Sequence, residues 1–267
     1  MHREEILNKY KDGERLLVSK ILDKIELADK NNVTENTDFL NLNEQFLAKT
    51  ILNKVKRKGI FYGCFEEAER KMLFLIPQKK ENNLENLKIN YNDYIGVIRI
   101  KLSSKIQEKY VHRNYLGALM KLGLKREKIG DILVDDEGAD IIVCEEIIKF
   151  LKLNLPTLKR FNDCDIKKIE IENLKNIVII PNYKTIQVSS MRLDNIISEL
   201  VNTSRNKANQ IILEQKVFLN YVCETKNTKQ IKERDVITIR GKGRFKIDKI
   251  IGNTKKGKLN IKIEYFL

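Results

Sequence analysis

Ser204-Arg205-Asn206-Lys207 is the stretch of this chain best suited to holding an anion. Ser204 can cap a helix by accepting a hydrogen bond from an unpaired first-turn amide. Arg205, Lys207 and Gln210 then lie on or beside the exposed face, while Ala208, Ile211 and Ile212 turn inward. Guanidinium forks and helix N-termini both complement phosphate oxygens, so the arrangement is a workable phosphate grip. Further on, Gly241-Lys242-Gly243-Arg244-Phe245 adds two cations. That run lacks the G-x-G-x-x-G spacing and the following helix of a nucleotide loop, and reads as a hairpin turn. Asp194 reads as a support for the fold, accepting hydrogen bonds from local backbone or arginine. Lys125-Arg126-Glu127-Lys128 reads equally as a solvated face or as a second RNA contact, and His112-Arg113 as surface.

Other chemistries find little footing. Cys64, Cys144, Cys164 and Cys223 are widely spaced without a C-x-x-C pair, and only His2 and His112 could join them, so reduced thiols are expected and a zinc site is not. There is no glycine-rich strand-to-helix turn for a methyltransferase cofactor and no nucleotide signature of a synthetase. Residues 1–179 show no Ser/His/Asp or metal constellation of plausible spacing. No cofactor and no metal are expected.

The elements that must position these residues are partly visible. Helical spacing runs from Glu4 to Leu27, with Gly13 interrupting it or separating two helices, and again over Leu42 to Val55, closed by Lys56-Arg57-Lys58 and Gly59. The basic triplet reads as a complement to the helix C-terminal dipole rather than as an RNA contact. Gly59 to Cys64 reads as a loop or short strand, Glu66 to Arg70 as a helical turn, Met72 to Ile76 as a strand, and polar residues 78–88 as a linker. Strands at Ile95–Leu102, Asp131–Val134, Asp140–Cys144 and Lys167–Ile171 alternate with helices at Asn114–Leu122 and Glu145–Leu153, and Asp135-Asp136-Glu137-Gly138 has hairpin chemistry. That β-α-β-β-α-β order is the ferredoxin-like, RNA-recognition-like sandwich. Its outer strands lack closely spaced aromatics for base stacking. Helices over Met191–Leu200 and from Ser204, then strands Val217–Val222 and Asp235–Arg240, follow. The expected fold class is α+β, in three parts: a mainly helical region 1–88, the RNA-recognition-like domain 89–178 and a small α+β domain 179–267.

Of the 267 residues, 42% are hydrophobic and 33% charged, which excludes collagenous, disulfide-scaffold and disordered classes. The net charge of +14 and pI near 9.4 favour a polyanionic partner, nucleic acid before an anionic membrane surface. Residues 180–267 hold 18 Lys or Arg against 8 Asp or Glu, an excess of 10 out of that total of 14. The longest apolar runs, such as Ile177–Ile180, are of strand length, and Met1–Tyr10 lacks a secretory pattern, so a cytoplasmic location is expected, with no membrane span.

Val188-Ser189-Ser190-Met191-Arg192-Leu193-Asp194, Ser204-Arg205-Asn206-Lys207-Ala208, Val217 with Asn220, and Asp235 through Phe245 resemble the small RNA-binding domain named after ribosomal small-subunit protein S-four. Ala118 through Leu133 and Glu67-Ala68-Glu69-Arg70-Lys71 resemble the YlmH family, in which that module follows an RNA-recognition-like domain, so the resemblance covers most of the chain. It implies RNA-facing roles for Arg192, Ser204, Arg205, Lys207, Gln210, Lys216, Asn220, Arg240, Lys242 and Arg244, while Lys125, Arg126 and Lys128 stay open between a solvated face and a second contact. It implies a non-catalytic, monomeric RNA-binding protein whose partners are rRNA, tRNA and the large ribosomal subunit, in rescue or quality control of stalled translation, with a link to cell division. The rival is an RNA-modifying enzyme: Arg192-Leu193-Asp194 is similar to the catalytic triplet of pseudouridine synthases, although Asn195-Ile196-Ile197 replaces their Thr-Ser-Gly. A division-protein scaffold stands third. The domain class often has glycine where this chain has Gln215, Tyr221 and Arg234, and a side chain there resists positive φ.

Overall fold

The computed structural model describes residues 3–103, 110–175 and 182–266, and the chain divides into two compact units, Met1–Ile177 and Val178–Leu267. The apolar run Ile177–Ile180 and the boundary expected at 178/179 lie outside the described residues, as does His2. Among the described residues, seven α-helices and thirteen strands in three antiparallel sheets make a mixed α+β protein. None of these helices is long and apolar enough to cross a membrane.

The first unit starts with α1 (Arg3–Leu7) and α2 (Asp12–Asn31). Val18, Ile21, Leu22 and Ile25 recur at helical spacing and bury one face of α2. The break between the helices falls over residues 8–11, while Gly13 sits in the first turn of α2. Strand β1 (Glu35–Leu40) leads into α3 (Leu42–Lys54), whose start is a capping box. Asn41 Oδ1 accepts from the amides of Asn43 and Glu44 at 3.0 Å each, and Glu44 Oε2 accepts from the Asn41 amide at 2.7 Å. Its stop is Lys56 at φ 54°, with Arg57 N donating to Leu52 O at 2.9 Å, so lysine takes the left-handed place expected of a glycine. Gly59 instead opens β2 (Gly59–Tyr62), where a Cβ would lie 2.7 Å from Leu73 Cδ1. Arg57 is no dipole complement: its buried guanidinium donates to Asp29 at 2.6 and 2.9 Å and to Glu81 at 2.7 Å.

Residues 66–70 form no helix, and β3 (Lys71–Leu75) follows them. The first sheet has the order β1-β3-β2. The polar stretch read as a linker coils into a 3-10 helix over Gln78–Asn86. Next come β4 (Ile95–Lys101), α4 (His112–Lys121), β5 (Ile129–Val134), β6 (Gly138–Cys144), α5 (Ile148–Asn154) and β7 (Asp165–Ile169). The order β5-β6-β4-β7 is that of the ferredoxin-like sandwich. Tyr115 and Leu119 of α4 and Ile148 and Leu151 of α5 pack on one face of this sheet, against Ile98, Ile100 and Ile141. Its other face is closed as well: Phe39, Met72 and Phe74 of the first sheet share a buried cluster with Ile95, Val97 and Ile142. Position 88/89 thus falls inside the first unit, whose two sheets have one apolar interface.

The second unit comprises β8 (Asn182–Val188), α6 (Leu193–Leu200), α7 (Arg205–Leu213), β9 (Val217–Leu219), β10 (Val222–Cys223), β11 (Val236–Ile239), β12 (Gly243–Asn253) and β13 (Leu259–Phe266). Its sheet runs β10-β9-β11-β12-β13-β8. Leu193, Ile196, Ile197, Leu200, Ala208 and Ile212 cover the inner face of the strands, at Val217, Ile237, Ile239 and Phe245. The single strand expected over Val217–Val222 breaks at Asn220 and Tyr221, with φ of 48° and 69°. Gln215 and Arg234 also adopt positive φ, 57° and 71°, so the left-handed turns form without the glycines they favour.

Candidate nucleic-acid interface

The first cluster is built where α6 begins. Residues 227–231 lie against that end: the Leu193 amide donates to Lys229 O at 2.9 Å, the Asp194 amide to Asn227 O at 3.1 Å, and the Ile231 amide to Met191 O at 2.8 Å. Asp194, 1% exposed, is thereby fixed beneath two arginines. Its Oδ1 accepts from Arg192 Nε at 3.1 Å and from the Asn195 amide at 2.9 Å. Its Oδ2 accepts from Arg192 Nη2 at 2.8 Å and Arg205 Nε at 3.0 Å, and Arg205 Nη2 lies 2.9 Å from it as an ion-pair contact. Burial by itself would raise this carboxyl, but the bonds from Arg192 and then Arg205 outweigh it and hold it below the ordinary carboxylate range. Four hydrogen bonds and the Arg205 ion pair occupy Asp194 and orient both guanidinium groups, whose side chains remain 32% and 50% exposed. Ser204 caps α7 as the sequence predicts, its Oγ accepting from Lys207 N at 3.3 Å, and the Lys207 side chain is exposed.

A second group lies on the outer face of the sheet. Arg240 N donates to Lys216 O at 2.9 Å, and the Arg240 guanidinium stands 4.8 Å from the centre of the Phe218 ring. Thr238 pairs with Phe218 on one side and Arg244 on the other, which aligns the two across three strands. Exposed Lys242 sits in the β11–β12 turn, with Gly241 and Gly243 at φ 74° and 115°. Gln210 donates to Glu214 at 3.1 Å, and Glu214 pairs with Lys216 at 2.6 Å, which quiets that lysine.

Asn220 has a different job. Its amide nitrogen donates to Asp235 at 2.9 Å and its oxygen accepts from the Val236 amide at 2.9 Å, tying the turn after β9 to β11. Phe218 was missed by motif reading. Alternation at period two along β9, β11 and β12, which puts Phe218, Thr238, Arg240 and Arg244 on one face, was the signal for it.

Lys125, Arg126 and Lys128 do not form one patch. Lys125 is exposed, but Arg126 points inward and donates to Ile129 O at 2.6 Å and Gly130 O at 3.2 Å, where burial and then the nearby Arg70 pull its pKa down to about 10. Lys128 bridges Asp38 at 2.7 Å and Glu146 at 2.6 Å. Those carboxylates come from distant parts of the chain, so local charge spacing could not reveal them.

Residues 77–173 match the family model described as "Putative RNA-binding domain in YlmH". Ribosome-associated protein quality control protein P2 of Bacillus subtilis (strain 168) is 26% identical over 265 residues, which is 97% of this chain and 98% of that protein. Through residues 77–173 the chain is similar to the YlmH family. A solved structure, cell division protein ylmH from Streptococcus pneumoniae, aligns with 62% of this chain and 97% of its own, at 20% identity and a TM-score of 0.48. The stretch matched by the YlmH family model spans the four-stranded sheet and its two helices.

Proposed function

We propose that this protein docks structured RNA without chemistry, as a ribosome-associated factor that engages large-subunit rRNA and tRNA when translation stalls and is rescued. The observation that carries the reading is the pair of arginines held by buried Asp194. A guanidinium whose orientation is set by a carboxylate loses little freedom on meeting a phosphate, and its outward N–H groups retain the fork geometry that phosphate oxygens fit. The exposed cations Lys207, Arg240 and Lys242, together with Arg244, extend the same charge over the second unit. The domain description matched by residues 77–173 and the ribosome association in the name of the Bacillus relative point the same way. A cytoplasmic location and an S-four-type second unit go with this proposal. Asp194 positions rather than attacks in this reading, because both its oxygens are occupied.

A salt titration of binding to purified tRNA and rRNA tests it. Affinity falls steeply as salt rises, because phosphate contacts release counterions. Arg205→Ala weakens binding by about 1–3 kcal/mol at fixed salt. Absence of binding to ribosomal particles and tRNA in dilute buffer sinks the proposal, and a new modified nucleoside in RNA incubated with the protein replaces it with the enzymatic one.

A further inference from the structure

The four-stranded sheet of the first unit has one face closed by Phe39, Met72 and Phe74, so no base can stack there. The opposite side of the sheet is formed by α4 and α5. That side carries Arg113, Lys121, Lys149, Lys152, Lys159 and Arg160, all exposed, and none makes an ion pair among the described residues. No Asp or Glu occurs between His112 and Arg126 or between Ile147 and Asn162. Several other cations of the unit, Arg57, Arg99, Lys128, Lys168 and Lys175, each pair with a carboxylate. Arg160 donates to Asn114 O at 3.4 Å and stands 5.2 Å from the centre of the Tyr110 ring, which brings the segment after α5 against the first turn of α4 beside Arg113.

Gly117 supplies an independent observation. It lies in the middle of α4, where glycine weakens a helix relative to alanine, and a Cβ there would meet nothing within 4 Å. Packing therefore does not require it. Arg113, Gly117 and Lys121 fall at i, i+4 and i+8, on one stripe of the helix, with the two cations about 12 Å apart along its axis. A bare backbone between two cations lets a sugar-phosphate chain approach more closely than any side chain would allow.

We propose that the outer surface of α4 and α5 docks the phosphate backbone of folded RNA, with Gly117 as its point of closest approach. This rests on the RNA-binding reading above, and adds to the Asp194 cluster a surface in the other unit.

The test measures binding of the full chain to a hairpin RNA with a stem of roughly 16 base pairs, from 50 to 300 mM KCl. Lys149→Glu with Lys152→Glu should lower affinity about tenfold or more at fixed salt and make the salt slope shallower by about two counterions. Gly117→Leu, which adds bulk without charge at an open helical position, should weaken binding several-fold and leave the circular dichroism helical. If both variants bind like wild type while Arg205→Ala is weakened, the α4–α5 surface is overturned and the RNA-binding reading stands. If wild type ignores the hairpin and bulk tRNA alike at 50 mM KCl, both fall.

Discussion

Asp194→Asn is the most informative single change, because it alters one atom and leaves the shape of the site intact. In the native protein Asp194 Oδ2 accepts two guanidinium N–H groups, one from Arg192 and one from Arg205, and lies in ion-pair contact with a third guanidinium nitrogen, Nη2 of Arg205. With asparagine, Oδ1 can still take the Asn195 amide and Arg192 Nε, but an NH2 group then faces three donors. The cost comes mainly from the buried carboxyl position, where a group left facing donors it cannot accept from costs roughly 1–3 kcal/mol. The Arg205 side chain is half exposed, so its ion pair counts for no more than about 1 kcal/mol after screening. The expected loss in the second unit is therefore about 1–3 kcal/mol, most of it at the buried acceptor. It should appear as faster hydrogen–deuterium exchange at pH 7 in peptides covering residues 193–213, with peptides of the first unit unchanged. RNA affinity should fall too, as the freed arginines lose their set orientation. The pH dependence follows from the depressed carboxyl: its contribution is complete above the unfolded value near 4 and disappears as pH drops through the lower folded value. The gap in thermal stability between wild type and Asp194→Asn should consequently close on acidification below about 4. Unchanged exchange together with unchanged RNA affinity would refute the positioning role.

Gly96→Ala places a Cβ 2.4 Å from Ile148 Cγ1 and 2.5 Å from Glu145 Oε2, and should cost about 1–3 kcal/mol by lifting α5 off β4, read by thermal melting. Burial pushes the Asp131 carboxyl up to about 6, in spite of the hydrogen bonds it accepts from the Glu69 and Arg70 amides. A raised folded pKa gives stability that is present below about 4 and lost as pH climbs through 6, so the Tm of Asp131→Asn should gain on wild type between pH 4 and 7; parallel profiles would contradict this. Exposed Cys223 should be the first cysteine modified by a thiol-disulfide reagent at pH 8, whereas burial raises the Cys64 and Cys144 thiols to about 12 and should keep both inert until the protein unfolds, which mass mapping can check.

The local elements were largely legible because their signals are local. The helical spacing over Leu42–Val55, Ser204 ahead of a period-3.6 run, and the hairpin chemistry of Asp135–Gly138 announce their structures through neighbours in sequence. The β-α-β-β-α-β order was readable for the same reason, and so was the concentration of charge in the last third. What the chain does with its charges was not. Arg57, Arg126 and Lys128 look like surface cations in sequence, yet Arg57 and Lys128 reach carboxylates contributed by other segments, and Arg126 turns inward onto the carbonyls of Ile129 and Gly130. The joining of the two sheets of the first unit through Phe39 and Phe74 was equally hidden, since β6, buried on both faces, shows no alternation to say what covers it. Arg192 and Arg205 could be named as candidates from type and spacing alone. That one buried aspartate holds both, and that Asn220 serves the turn instead, depends on hydrogen bonds between groups eleven and fifteen residues apart, which only the folded chain brings within reach.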